Sequence, residues 1–223
     1  MDGFAKLTGV AAPLPEADID TDIIFPARFL LHMEKAGLGR HLFHERRHNR
    51  SRDQKPFILV APPFDHAVIL VAGGNFGSGS SREHAVWALL DFGIRCVIAP
   101  SFGEIFHANC FKNGLLAITL AEHLADRVMA AAAPGDPLTV DLEAETISVP
   151  GGEVIPFSVD NHHRRALLLG LDEIDGILAE DAGDIARFES RQRAAAPWLY
   201  LERAQLAYFD DIEPEEPAGG RQP

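Results

Sequence analysis

Twelve consecutive residues, Gly73-Gly74-Asn75-Phe76-Gly77-Ser78-Gly79-Ser80-Ser81-Arg82-Glu83-His84, carry most of the chemistry legible in this chain. Ser80 and Ser81 offer hydroxyls, and Arg82 offers a planar fork suited to a carboxylate or a phosphate. Four glycines free the backbone to turn tightly and to approach a small ligand. The apolar run Ala67-Val68-Ile69-Leu70-Val71 precedes them and an amphipathic stretch from Ala85 to Phe92 follows, so the order reads strand, turn, helix. A helix start presents unpaired N–H groups and partial positive charge, which favours an anion. Ser80 is placed to cap that helix, with Glu83 three residues on completing a capping box. The local chemistry is that of a small-anion site.

Two commoner anion motifs fail on a named residue. Gly74 to Gly79 has the glycine spacing of a P-loop, but Ser80 stands where the phosphate-binding lysine belongs. Gly77-x-Gly79 begins a dinucleotide fingerprint, yet Arg82 occupies the third glycine's place and would obstruct close helix–strand packing. A second candidate segment is Asp20-Thr21-Asp22-Ile23-Ile24-Phe25-Pro26-Ala27-Arg28. Asp20 and Asp22 are candidates to hold an active-site arginine, and Arg28 to reach a substrate carboxylate; the competing reading is a turn closed by Asx-type hydrogen bonds.

The elements that must position these residues follow from pattern. Phe57 to Val60 and Ala67 to Val71 read as buried strands, with Pro62-Pro63 turning between them. Ile94 to Ala99 is another short strand, and Ser101-x-x-Glu104 opens a second helix through a second capping box, ending near Asn113-Gly114. Leu116 to Leu120 is a strand and 121 to 133 an alanine-rich helix. Leu138 to Leu142, Thr146 to Val149 and Val154 to Ser158 form a β-meander before the pattern returns to helix at Asn161. Alternating strand and helix imply a parallel sheet, so the expectation is one α/β domain with a β-rich patch. Residues 28 to 55 read as a mobile, basic segment shaping substrate access, and the acidic extension 201–223 has a disordered composition over much of its length.

The 223 residues suffice for one good core, and the formal net charge of −13 argues against nucleic acid, whose binding depends on clustered lysine and arginine. With no long apolar run and no signal-peptide pattern at Met1 to Lys6, a cytoplasmic protein is expected. The only cysteines, Cys96 and Cys110, have neither zinc nor disulfide spacing, and cannot give a cluster three thiolates. His41-x-x-His44-x-x-x-His48 would line one helix face, but Arg40, Glu45, Arg46, Arg47 and Arg50 around it favour a solvated basic helix. No metal site is expected.

The glycine-rich segment, continuing through Ala85, Ala88-Leu89, Asp91-Phe92-Gly93 and Val97-Ile98-Ala99-Pro100-Ser101-Phe102, closely resembles the small subunit of bacterial 3-isopropylmalate dehydratase. The segments Asn109-Cys110-Phe111-Lys112-Asn113-Gly114-Leu115-Leu116, Asp20 to Leu30, Arg164 to Ile174 and Pro197-Trp198-Leu199 carry the same resemblance, which spans roughly residues 5 to 200 in order. It implies the swivelling β/β/α domain of the aconitase superfamily, a mixed sheet with flanking helices, over 1–200. It also implies a large-subunit partner carrying a four-iron, four-sulfur cluster on three cysteines, and a hydro-lyase reaction in leucine biosynthesis that interconverts 2-isopropylmalate and 3-isopropylmalate. On the same resemblance Ser80 is the catalytic base and Ser81, Arg82, Gly79 and Arg28 bind substrate. Asp20, Thr21, Asp22 and His84 organise the site. Competing readings are a related hydro-lyase acting on citraconate, citramalate, dimethylmalate or homoaconitate, and a non-catalytic anion-binding subunit. Ser78, where many relatives carry cysteine, and Phe25, before the proline, are departures that leave the chemistry standing.

Overall fold

The fully buried apolar run Ile69–Ala72 forms β2 and Cys96–Ala99 forms β3, as expected of parallel strands covered on both faces. These come from a computed structural model, which describes residues 3–31, 34–48 and 56–201. Helix α3 (Glu83–Phe92) joins β2 to β3, and α4 (Glu104–Lys112) joins β3 to β4 (Leu116–Thr119). Helix α5 (Glu122–Ala132) then leads to the meander β5 (Pro137–Asp141), β6 (Thr146–Ser148) and β7 (Val154–Pro156), followed by α6 (Asn161–Leu169). Near the start lie strand β1 (Lys6–Leu14) and the one-turn helix α1 (Thr21–Ile24), and α2 (His44–His48) follows.

The seven strands form one mixed sheet in the order β4-β3-β2-β1-β5-β6-β7. β1 joins its two halves by using different residues for each. Lys6 to Val10 run antiparallel to β5, with Lys6 opposite Asp141, while Ala11 to Leu14 run parallel to β2, with Ala11 opposite Ile69. Sequence pattern gives no strand here, because Gly9, two alanines and Pro13 break both alternation and β propensity. Pairing partners far along the chain make it one. The strands β1, β2 and β3 are parallel, so the loops that follow them leave from the same edge of the sheet, the place where open α/β sheets hold their ligands.

Three sequence expectations are corrected. Phe57 to Val60 is not a strand but a 3₁₀ turn over Ile58–Val60, with Leu59 buried. The run is hemmed in by Pro56 and Pro62-Pro63, which have no N–H to give a ladder. Neither capping box forms either: α3 and α4 have Arg82 and Gly103 at their N-caps, with no side-chain cap. In the first box the N-cap of α3 falls two residues beyond Ser80 and Glu83 is engaged by Asn113; in the second Ser101 is engaged by the Asn75 N–H.

The described part of the supposed mobile segment is anchored. Asp91 accepts hydrogen bonds from the Gly37 and Gly39 N–H groups (3.0 and 2.7 Å), and Leu38, Leu42 and Phe43 are buried. Arg46 meets Glu16 through two parallel bonds of 2.6 and 2.7 Å. The histidine helix is only α2, with His41 in the preceding 3₁₀ turn; Phe29 stacks on His41 at 4.0 Å and His44 on His48 at 4.3 Å. Burial, then the charges of His48 and Arg28, hold His44 below the usual histidine value. Arg50 and the acidic extension beyond Leu201 lie outside the described residues.

Contacts divide the chain into one unit up to Gly176 and a second from Ile177. Most of helix α7 (Glu173–Ala195) and the 3₁₀ turn Pro197–Leu199 belong to the second unit, where the Tyr200 hydroxyl donates to Gln192. No helix among the described residues is long and apolar enough to cross a membrane.

Candidate active site

The loop after β1 and the loop after β2 are stitched together strand-fashion. The Gly77 N–H donates to the Ile19 carbonyl (2.7 Å), the Thr21 N–H to the Ser78 carbonyl (2.9 Å) and the Asp18 N–H to the Gly74 carbonyl (2.9 Å). The loop after β3 joins from the other side, where Ser101 Oγ accepts from the Asn75 N–H (2.8 Å) and the Phe76 N–H reaches the Ser101 carbonyl (3.1 Å). Asn75, itself at φ +56°, donates through its side-chain amide to Asp18 (2.7 Å). The acidic turn and the glycine loop, 59 residues apart at Thr21 and Ser80, thus form one wall.

Within that wall each acidic-turn residue has a different task. Asp20 caps α1 by accepting from the Ile23 N–H (2.7 Å). Thr21 is 2% exposed and its hydroxyl donates to the Ser80 carbonyl (3.0 Å), fixing the backbone of the serine pair. Replacing Thr21 by the isosteric valine would leave that carbonyl without its donor. Thr21→Val is expected to cost about 1–3 kcal/mol in urea unfolding, and a loss below about 0.5 kcal/mol would mean that water substitutes for the hydroxyl.

Asp22 forms an ion pair with Arg82 and accepts from the Ala27 N–H (3.0 Å). Arg82 is 14% exposed, so the pair fixes a largely buried guanidinium beside the exposed Ser80 and Ser81. The Arg82 guanidinium holds the Asp22 carboxyl below the usual carboxylate value, helped by the Ala27 N–H and opposed by partial burial. A depressed carboxyl contributes stability that is complete above its unfolded value, about 3.9, and is lost as pH falls through the lower folded value. Asp22→Asn should therefore lower the melting midpoint at neutral pH and blunt its acid dependence below about pH 4. Equal acid sensitivity in both chains would contradict the ion pair's role.

Other predicted residues are placed less directly. Gly79, at φ +89°, makes the last turn before Ser80, and a side chain there would come within 3.5 Å of Asp20 Cβ. His84 stacks on Phe25 (5.8 Å) and tilts against Trp87 (4.6 Å), packing the first turn of α3. Arg28 is turned toward Glu45 in an ion pair and lies over the Phe29 ring at 4.6 Å. Asn113, in sequence only a helix stop, bonds Glu83, Trp87, Lys35 and Asn109. Its sequence signals, a place before Gly114 and within the segment Asn109 to Leu116 that carries the resemblance, assign it no role.

No group of three His, Cys, Asp or Glu side chains among the described residues could hold a metal ion. Cys96 and Cys110 are both buried, and burial pushes both thiols up, so neither is suited to ligate a cluster as a thiolate.

The mixed sheet with flanking helices is that of an aconitase-type domain; residues 1–123 match the aconitase C-terminal domain model. Residues 126–161 match the LeuD_N model, and 180–201 match the model for the C-terminal domain of the 3-isopropylmalate dehydratase small subunit. The chain belongs to the family of 3-isopropylmalate dehydratase small subunits. It is 52% identical over 202 residues to that of Dinoroseobacter shibae, covering 89% of this chain and all of the relative. Against that of Brucella anthropi it is 53% identical over 201 residues, with the same coverage. The crystal structure of 3-isopropylmalate dehydratase from Methanocaldococcus jannaschii superposes with a TM-score of 0.62 at 27% identity, covering 82% of this chain and 99% of that one.

Proposed function

We propose that Ser80 is the base, and Ser81 and Arg82 the carboxylate-binding groups, of a 3-isopropylmalate dehydratase of which this chain is the small subunit. The observation that carries this reading is the Arg82 guanidinium, held by Asp22 at 14% exposure beside two exposed serines where three parallel strands end.

In the dehydration direction Ser80 Oγ takes the proton from the carbon next to a substrate carboxylate, while hydroxide leaves the neighbouring carbon. The product is an unsaturated diacid. In the return direction Ser80 delivers that proton to the other carbon and hydroxide adds to the carbon that had lost it, so that one water is returned with the opposite regiochemistry. A serine hydroxyl is a weak base by itself. It needs the fixed N–H groups of the loop, the start of α3 and the Arg82 charge to stabilise the alkoxide. Ser81 and Arg82 hold the carboxylate, and Asp22 keeps Arg82 in place. Gly79 lets the backbone approach, and Asp20 and Thr21 organise the turn. Arg28 reaches a carboxylate by exchanging Glu45 for it.

The four-iron, four-sulfur cluster belongs on the large subunit, where it would supply a Lewis acid for the hydroxyl group. Placement in the cytoplasm fits such a partner. The test is anaerobic turnover of 2-isopropylmalate by this chain alone and after co-expression with the large subunit. Activity confined to the complex is expected; turnover by the isolated chain would overturn the division of labour. A cluster-loaded complex active only on citraconate or dimethylmalate would overturn the substrate.

A further inference from the structure

We infer that Asn113, outside the acidic turn and the glycine loop, is a positioning residue that fixes the Ser80–Arg82 segment through Glu83. The inference rests on the catalytic reading of Ser80 given above. Asn113 ends α4, and its amide uses both ends. Oδ1 accepts from the Trp87 indole N–H (2.8 Å) and the Lys35 ammonium (3.1 Å). Nδ2 donates to Glu83 Oε1 (2.6 Å) and to the Asn109 carbonyl (3.0 Å). An indole and an ammonium only donate, while a carboxylate and a carbonyl only accept, so the amide has one possible orientation. No other side chain of this shape satisfies both pairs.

The consequence lies at the start of α3, which has no side-chain cap. Ser80 and Ser81 are exposed, so packing does little to hold them. Two side chains bracket them instead. Thr21, from 59 residues earlier, bonds the Ser80 carbonyl, and Asn113, from 30 residues after Glu83, bonds the first residue of the helix. Between the two tethers lie only Ser81 and Arg82. Lys35, over the Trp87 ring at 4.9 Å, ties the segment anchored by Gly37 and Gly39 to the same asparagine. Small displacements of a reacting group cost on the order of 10²-fold in rate, so a tether of this kind registers in kcat.

The experiment compares three changes in the co-expressed complex and in the isolated chain. Glu83→Ala removes the tether without adding charge, and Asn113→Asp sets a carboxylate against Glu83 while keeping an acceptor for Trp87 and Lys35. The double change Asn113→Asp with Glu83→Gln restores the bond to residue 83 with donor and acceptor exchanged, leaving only the Asn109 carbonyl without its donor. Each single variant is expected to lower kcat at least about tenfold, and the double variant to return within about fivefold of wild type. In the isolated chain, amide hydrogen exchange should accelerate at Ala85, whose N–H bonds the Arg82 carbonyl (3.1 Å), but not in β2 or β3. Wild-type kcat in Glu83→Ala, exchange that rises equally throughout the sheet, or a loss the double change leaves uncorrected overturns the inference. Ser80→Ala measured alongside separates the two failures. Full activity there removes the catalytic reading, whereas an inactive Ser80→Ala beside a wild-type Glu83→Ala removes only the role of Asn113.

Discussion

Ser80→Ala in the assembled enzyme is expected to lower kcat for 2-isopropylmalate by about 10³-fold while leaving the folded chain as stable as wild type. The rate loss follows from removing the only atom proposed to take the proton; the fixed donors of the loop remain but have no alkoxide to stabilise. Stability should hold because Ser80 is exposed and its one described tertiary bond is made by its carbonyl, which alanine retains. Exposed substitutions of this kind usually fall within about 0.5 kcal/mol of wild type. Ser81→Ala is the control, since a carboxylate ligand should register mainly in KM. Steady-state kinetics beside thermal melting decide the matter. A Ser80→Ala complex within tenfold of wild-type kcat would end the assignment of Ser80 as base.

Gly77→Ala should cost about 3 kcal/mol in unfolding. Gly77 sits at φ +74°, where a side chain costs about 1–2 kcal/mol by itself. An added Cβ would also lie 2.2 Å from Phe106 Cγ and within 2.7 Å of both Cδ atoms. That ring has no retreat: it is 2% exposed, edge-on to Phe76 at 5.5 Å, and stacked with Phe102 at 6.4 Å. Overpacking of this kind adds about 1–3 kcal/mol. At this chain length the melting midpoint should fall by roughly 6–12 °C. Activity should fall with it, because the Gly77 N–H is part of the seam to Ile19. A midpoint within about 2 °C of wild type would mean that the ring can be displaced cheaply.

The strand–turn–helix order from Ala67 to Ala99 is legible because each element is a short, self-contained pattern: an apolar run, a cluster of glycines, an amphipathic stretch. The meander is legible for the same reason, with Pro150-Gly151-Gly152 punctuating it. Features decided by distant partners are not. Ser101 and Glu83 look like halves of capping boxes until Asn75 and Asn113, 26 and 30 residues away, claim them. β1 looks like coil until β2 and β5 flank it. At the site, Asp22 is a candidate holder of an arginine from its type alone, and the structure pairs it with Arg82. Arg28 reads as substrate-facing because Glu45, its observed partner, carries no local signal of that pairing. Asn113 escapes notice because an Asn-Gly pair is fully explained as a helix stop.

The arrangement of β1 also has a consequence for synthesis on the ribosome. Its first five residues are translated well before the strand they pair with, Pro137–Asp141, which emerges after the glycine loop, α3, α4 and α5. Its last four residues need only Ile69–Ala72. The parallel half of the sheet can therefore close around the serine pair on a nascent chain whose amino-terminal edge is still open. Any fragment released before Asp141 carries that bare edge into solution, where unpaired strands seek partners in other chains.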